Sequence, residues 1–144
     1  KVLYKPKKRQ APSDTAPEAA ATAGASVGSF PEGPVDFEGL YARFDNKKET
    51  VNMILEEVVK EGDRKIPLLR QLLEEGDIKR YAIEAHGVKG VMSSSCIPDL
   101  SATAKSHEFA AKEGNIAFIR DNIDGFLKEY SDVIEFIRKY LENS

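Results

Sequence analysis

The amino-acid sequence predicts an all-α fold. The expected architecture is an antiparallel up-down four-helix bundle over residues 35–144 with a short extra N-terminal helix, preceded by a disordered linker over residues 1–34. Three observations predict it. Beyond residue 34 the apolar residues recur at helical spacing, and no strand-like alternation lasts. Gly76, Pro98 and Gly114 punctuate that pattern at intervals that suit helices joined by short turns. Ahead of it, "KPKKRQAPSDTAPEAAATAGASVGSFPEGP" is rich in Ala, Pro, Gly and Ser, and carries too little large apolar surface to offset the entropy of ordering it.

The segment "VDFEGLYARF" suggests a short helix capped by Asp36, with Phe37, Leu40, Tyr41 and Phe44 on one side. Next, "KKETVNMILEEVVKEGDRKIPLLRQLLEE" places Val51, Ile54, Leu55, Val58, Ile66, Leu69, Leu72 and Leu73 at helical spacing. Gly62 and Pro67 interrupt it, which leaves one kinked helix or two shorter ones, and Gly76 ends it. A third helix is expected from about Ile78 to Ser95. A fourth runs from about Ile97 to Glu113, with Pro98 in its first turn and Gly114 closing it. Asn115 can cap the fifth, "IAFIRDNIDGFLKEYSDVIEFIRKYLE", whose apolar side includes Ile119, Ile123, Phe126, Tyr130, Val133, Ile137 and Leu141.

Charge and composition narrow the function. The 144 residues carry a net charge of −3, and the helical part alone, with 16 basic and 21 acidic residues, carries −5. That balance argues against nucleic acid as the main partner. Lys1, Lys5, Lys7, Lys8 and Arg9 cluster at the start, where a solvated linker explains them better than a lipid- or nucleic-acid-binding arm. The single cysteine, Cys96, cannot form an internal disulfide and fits a reducing cytoplasmic setting. No apolar run approaches the roughly 20 residues that span a bilayer, so direct membrane contact is not expected. The chain opens on Lys1 without a signal-peptide pattern, which suits a fragment or processed product, and a cytoplasmic place is expected for it even if a larger parent is membrane-bound.

The third helix contains "AHGVKG", in which each glycine costs about 1 kcal/mol against alanine. At helical periodicity Tyr81, Ala85, Val88, Met92 and Ser95 form the core side, while Ala82, His86, Lys89, Gly90 and Ser93 fall opposite. His86 is thereby expected to face solvent one turn from Lys89 and Gly90. Gly90 would leave the surface beside the imidazole bare for a partner's backbone, and Lys89 offers a charge suited to phosphate oxygens. On the fourth helix Ser101, Lys105, Glu108 and Lys112 share one face, and Leu100, Ala104, His107 and Ala111 make the core-facing side. His107 reads as a partly buried histidine with a hydrogen-bond partner. A metal site joining it to His86 is not expected, since no further carboxylate or thiolate stands at ligand spacing. Ser93, Ser94 and Ser95 have no base at a recognisable offset, and Cys96 reads as a small packing residue. No phosphate-cradling glycine loop is present, so autonomous ATP-dependent kinase activity is not expected.

"AHGVKG" resembles the Ala-His-x-Leu-Lys-Gly motif of histidine-containing phosphotransfer (HPt) domains, the intermediate carriers of two-component phosphorelays. The resemblance covers most of residues 36–141. It includes "LLEEGDIKRYAIEAHGVKG", similar to the acidic helix end and Gly-Asp turn that precede the histidine in that family. It continues through Leu100 and Ala104 into "HEFAAKEGN", where the family usually has a Leu-Glu pair followed by small residues and Gly-Asp. Val88 replaces the usual leucine, Met92 a small or hydroxyl residue, "CIPDL" the usual Gly-Ala helix start, and His107 the leucine of Leu-Glu. The His-x-x-Lys-Gly unit is intact.

The resemblance implies a phosphotransfer module of two-component signalling. His86 would accept a phosphoryl group from the aspartate of a response-regulator receiver domain and pass it to another receiver. The partner receiver would supply the aspartate and Mg²⁺, so no cofactor is expected on this chain. A free imidazole is mostly neutral near pH 7, and attack through Nε2 requires the proton to sit on Nδ1 and to be donated to an acceptor. Glu108, 22 residues after His86, matches the position whose Glu or Gln bonds the histidine in related domains. Lys89 is expected to offset the phosphoryl charge, with Lys105 assisting. Receiver docking is expected at Ala82, Ile83, Gly90, Ser93 and Lys105, with the short first helix nearby, and the module is expected to be monomeric. The linker suits the C-terminal module of a hybrid sensor histidine kinase, where a tether raises the effective concentration of His86 near its receiver. One alternative is a degenerate module that binds receivers without accepting phosphate, to which Met92 and His107 lend weight and the intact His86, Lys89 and Gly90 do not. A second, the dimerisation helix pair of a sensor kinase, calls for a His-Glu-x-x-x-Pro pattern that "HGVKGV" lacks.

Overall fold

The computed structural model describes residues 30–144. Five helices run through them: α1 (Phe37–Arg43), α2 (Lys48–Glu75), α3 (Ile78–Ser94), α4 (Pro98–Lys112) and α5 (Ile116–Glu142). No strand occurs among the described residues, so the chain there is all-α. The linker expected over residues 1–34 lies, up to residue 29, outside the described residues. A compact unit begins at Glu32. Gly33 abuts the Phe136 ring so closely that an added Cβ would stand 2.5 Å from Cε1, and Val35 is buried.

Short polar residues cap three of the five helices, two of them, Asp36 and Asn115, as expected from the sequence, and Asp77 in addition. The side chains of Asp36, Asp77 and Asn115 accept from the N–H groups of Gly39, Arg80 and Phe118, three residues on. Left-handed residues follow four of the helices, Asp45 and Asn46 standing after α1, and the other three ends share one pattern. Gly76 follows α2 with φ +76° and Gly114 follows α4 with φ +74°, while Cys96 holds the same role after α3 at φ +60°. At each end two reversed bonds satisfy the last carbonyls; after α3, Cys96 N–H donates to Ser93 O and Ile97 N–H to Met92 O.

Gly62 and Pro67 do not divide the second helical stretch, since α2 runs unbroken through both. Gly62 is a packing residue: a Cβ there would lie 2.5 Å from Ile134 Cδ1 of α5. Pro67 removes the N–H that would bond the Asp63 carbonyl, but both residues are exposed, where water can replace the bond.

α2 packs against α3 and α5, and α4 against α3 and α5, so each long helix has two neighbours. The apolar residues assigned to α5 at helical spacing are buried up to Ile137, as are Val51, Leu55, Val58, Leu69 and Leu72 of α2. α1 covers the α3–α4 turn: Asp36 N–H donates to Cys96 O at 2.8 Å and Arg43 Nη1 to Ser94 O at 2.9 Å. Its Phe37 and Tyr41 meet Tyr140 of α5, ring to ring and hydroxyl to hydroxyl. The loose end of α3 is thereby fixed. No helix of the described residues is long and apolar enough to cross a membrane.

Candidate functional site

α3 presents Tyr81, Ala85, Val88, Met92 and the following Ser95 to the core, as its periodicity predicts. Opposite them His86, Gly90 and Ser93 are exposed and Lys89 is half-buried. Ala82 does not join that surface; it is only 7% exposed. A two-sided helical wheel misplaces it because α3 is flanked by both α2 and α4, which widens the buried arc. Ile83, by contrast, is 63% exposed.

The two glycines of the motif have different surroundings. A Cβ on Gly90 would meet nothing within 4 Å, so the surface one turn beyond His86 is open. A Cβ on Gly87 would stand 2.9 Å from Lys65 Nζ. That ammonium is buried between α2 and α3 and pairs with Glu84 Oε1 at 2.8 Å. Hydrogen bonding to Lys65 lowers the Glu84 pKa against the opposing effect of burial. Gly87 therefore makes room for a buried ion pair, whereas Gly90 leaves a bare surface.

Glu108 organises the site. Its carboxylate is 6% exposed, and three groups converge on it. His86 Nδ1 lies 2.9 Å from Oε2, Lys112 Nζ 2.7 Å from the same oxygen, and Lys89 Nζ 3.2 Å from Oε1. The bond to Lys112, joined by those to Lys89 and His86, holds the Glu108 pKa down at about 2 against burial, which pushes the other way. Glu108 is thus an anion at neutral pH. A carboxylate can only accept, so Nδ1 of His86 carries the proton and donates it. In the neutral ring Nε2 then keeps its lone pair. The ring is 62% exposed, and Nε2 has no hydrogen-bond partner among the described residues.

Of the residues expected on the polar face of α4, Ser101 ties the helices together by donating to Lys89 O at 3.0 Å. Lys105 is exposed and reaches no carboxylate among the described residues. The cation that completes the cluster is Lys112, whose i,i+4 spacing from Glu108 was visible in the sequence but not singled out. Phe109, beside Glu108 in the chain, is 63% exposed and was also missed. His107 is buried; Tyr81 Oη lies 2.9 Å from its Nδ1, and its ring packs on Phe118 and Phe126. Burial raises the Tyr81 pKa, so the hydroxyl keeps its proton and donates, and burial lowers that of His107 to about 4. The two histidines thus differ in kind: one is a neutral core residue, the other an exposed base held by a carboxylate. Among the described residues no group of three or more His, Cys, Asp and Glu is placed to hold a metal ion. An open groove of about 430 Å³ between α2 and α5, lined in part by Ile66, Arg70, Asp124 and Leu127, contains none of the site residues.

No protein-family model, no curated protein and no solved structure matches the chain. The functional reading rests on the geometry of the site and on the motif that carries it.

Proposed function

We propose that this chain is a histidine phosphocarrier of a two-component phosphorelay, with the four long helices forming an antiparallel up-down HPt bundle. The observation that carries the reading is the bond from His86 Nδ1 to the buried carboxylate of Glu108 at 2.9 Å. It fixes one tautomer and leaves Nε2 as an exposed nucleophile, the logic by which an oriented imidazole is activated elsewhere. Nothing in a solvated surface histidine requires a nearly buried anion behind it.

In the proposed reaction the Nε2 lone pair of His86 attacks the phosphorus of a receiver's aspartyl phosphate in line. The N–P bond forms, the P–O bond to the aspartate breaks, and the aspartate leaves as a carboxylate on the receiver, which holds its own Mg²⁺. The ring becomes a phosphoimidazolium whose Nδ1–H stays bonded to Glu108. Transfer to a second receiver runs the same steps in reverse. Lys89, three residues beyond His86 and paired with the same carboxylate, offsets charge on the phosphoryl oxygens. Gly90 gives the receiver's loops close access, and Ile83, Ser93 and Phe109 offer contact surface. Lys105 supplies a further exposed positive charge.

The experiment that tests this charges receiver domains with a small-molecule phosphodonor and mixes them with the chain or its His86→Gln variant. Acid-labile, alkali-stable label that depends on His86 supports the phosphocarrier. Receiver binding with no label reaching the chain from any receiver replaces it with a docking module.

A further inference from the structure

Three groups meet at Glu108, and the proposed chemistry uses only two of them. The third, Lys112, places Nζ 2.7 Å from Oε2, the oxygen that also accepts from His86. Lys89 holds the other oxygen, Oε1, at 3.2 Å. A carboxylate at the end of a glutamate rotates easily about its last bond. With a cation on each oxygen its plane is fixed; with Lys89 alone, Oε2 is free to swing away from the imidazole.

We infer that Lys112 is a positioning residue, acting through Glu108 to hold His86 in the tautomer protonated on Nδ1 and so to present Nε2 for phosphoryl transfer. Its consequence for transfer rests on the phosphocarrier reading; its effect on the ring does not. The placement of Lys112 suits the task. It ends α4, where the negative end of the helix dipole favours a cation, and it lies one turn beyond Glu108. Lys105, one turn earlier on the same helix, reaches no carboxylate among the described residues. Because Lys112 is 62% exposed, an ordinary surface ion pair is the competing account. That account differs in one respect: it leaves the imidazole tautomer alone.

The test uses the full chain, Lys112→Met and Lys112→Arg, with ¹⁵N spectra of the His86 ring and potassium phosphoramidate as the phosphoryl donor. In that reaction Nε2 forms the N–P bond, the donor's P–N bond breaks, and ammonia leaves with the proton the donor nitrogen already carries. The expected result is a wild-type ring protonated on Nδ1 and a Lys112→Met ring shifted toward the Nε2–H form. Labelling should slow by about tenfold in Lys112→Met, and Lys112→Arg should restore both readouts. Unchanged ring spectra in Lys112→Met overturn the inference, whether labelling slows or not, since a slower rate alone would place Lys112 on the phosphoryl group instead. A wild-type chain that takes label from neither phosphoramidate nor any charged receiver sinks the phosphocarrier reading, and any role of Lys112 in transfer falls with it. Unfolding midpoints of the variants separate these results from loss of fold.

Discussion

Replacing Glu108 with Gln removes one charge while keeping an oxygen that can accept from His86 Nδ1. In the folded chain the carboxyl is held at about 2, against 4.5 for an ordinary glutamate. A depressed carboxyl stabilises the fold above the unfolded value, and the contribution fades as pH falls through the folded one. Taken alone that difference corresponds to about 3 kcal/mol. His86 and Lys112 are each 62% exposed, however, and solvent screens them, which reduces the expected contribution to about 1–2 kcal/mol. Urea unfolding of the wild type and Glu108→Gln reads it directly. At pH 7 the variant's midpoint should be lower by about 1 M, given a slope of about 1–2 kcal/mol/M for a chain of this size. The gap should narrow once pH drops below about 4.5 and close only as pH falls through about 2, below which the Glu108 carboxyl is neutral in the folded chain as well. A gap that is equal at pH 7 and pH 3, or a variant at least as stable as the wild type at pH 7, would refute the claim that the lysines hold a charged carboxylate.

Three further outcomes follow from named contacts. Gly90→Ala places a methyl group where nothing lies within 4 Å, so the helix should gain about 0.5–1 kcal/mol while receiver-to-His86 transfer slows; transfer at the wild-type rate would contradict the bare-surface account. Gly62→Ala drives a Cβ to 2.5 Å from Ile134 Cδ1, and overpacking should outweigh the gain in helix propensity by about 1 kcal/mol. Ile134→Ala removes both Cδ1 and the Cγ1 that would lie 2.6 Å from the new Cβ, so in thermal unfolding the double change should cost less than the sum of the two single losses. Tyr81→Phe leaves the buried Nδ1 of His107 without its donor and should cost about 1–2 kcal/mol, which the double change Tyr81→Phe/His107→Leu should partly restore.

Helix positions were legible because the apolar period and the capping residues are local signals. Val51, Leu55, Leu69, Ile119, Phe126 and Ile137 are buried at the spacing that predicts them, and Asp36 and Asn115 cap as expected. The errors arose where a second neighbour decides the outcome. Ala82 lies outside the core-facing stripe of a single wheel, yet packing of α2 and α4 on either side of α3 buries it. Glu108 shares its helical face with the exposed Lys105 and Lys112, yet it turns inward to meet His86 and Lys89 from α3. Gly62 and Pro67 left a kinked helix and a divided one both open, because local propensity penalises both residues. A close crossing against Ile134 explains the first, and exposure makes the second tolerable. The family resemblance brought His86 and Glu108 together; the i,i+4 order from Glu108 to Lys112 at the helix end favoured Lys112 over Lys105 as its partner, but the spacing alone did not show that this pair belongs to the site.

The most direct measurement is the identity of the phosphorylated atom. The chain is phosphorylated by a charged receiver domain, and the product is mapped by mass spectrometry and by ³¹P and ¹⁵N spectra of the modified ring. With Nδ1 occupied by its bond to Glu108, the phosphoryl group should sit on Nε2 of His86 and nowhere else. A phosphoryl group on Nδ1, on another residue, or on no residue with any receiver would contradict the account.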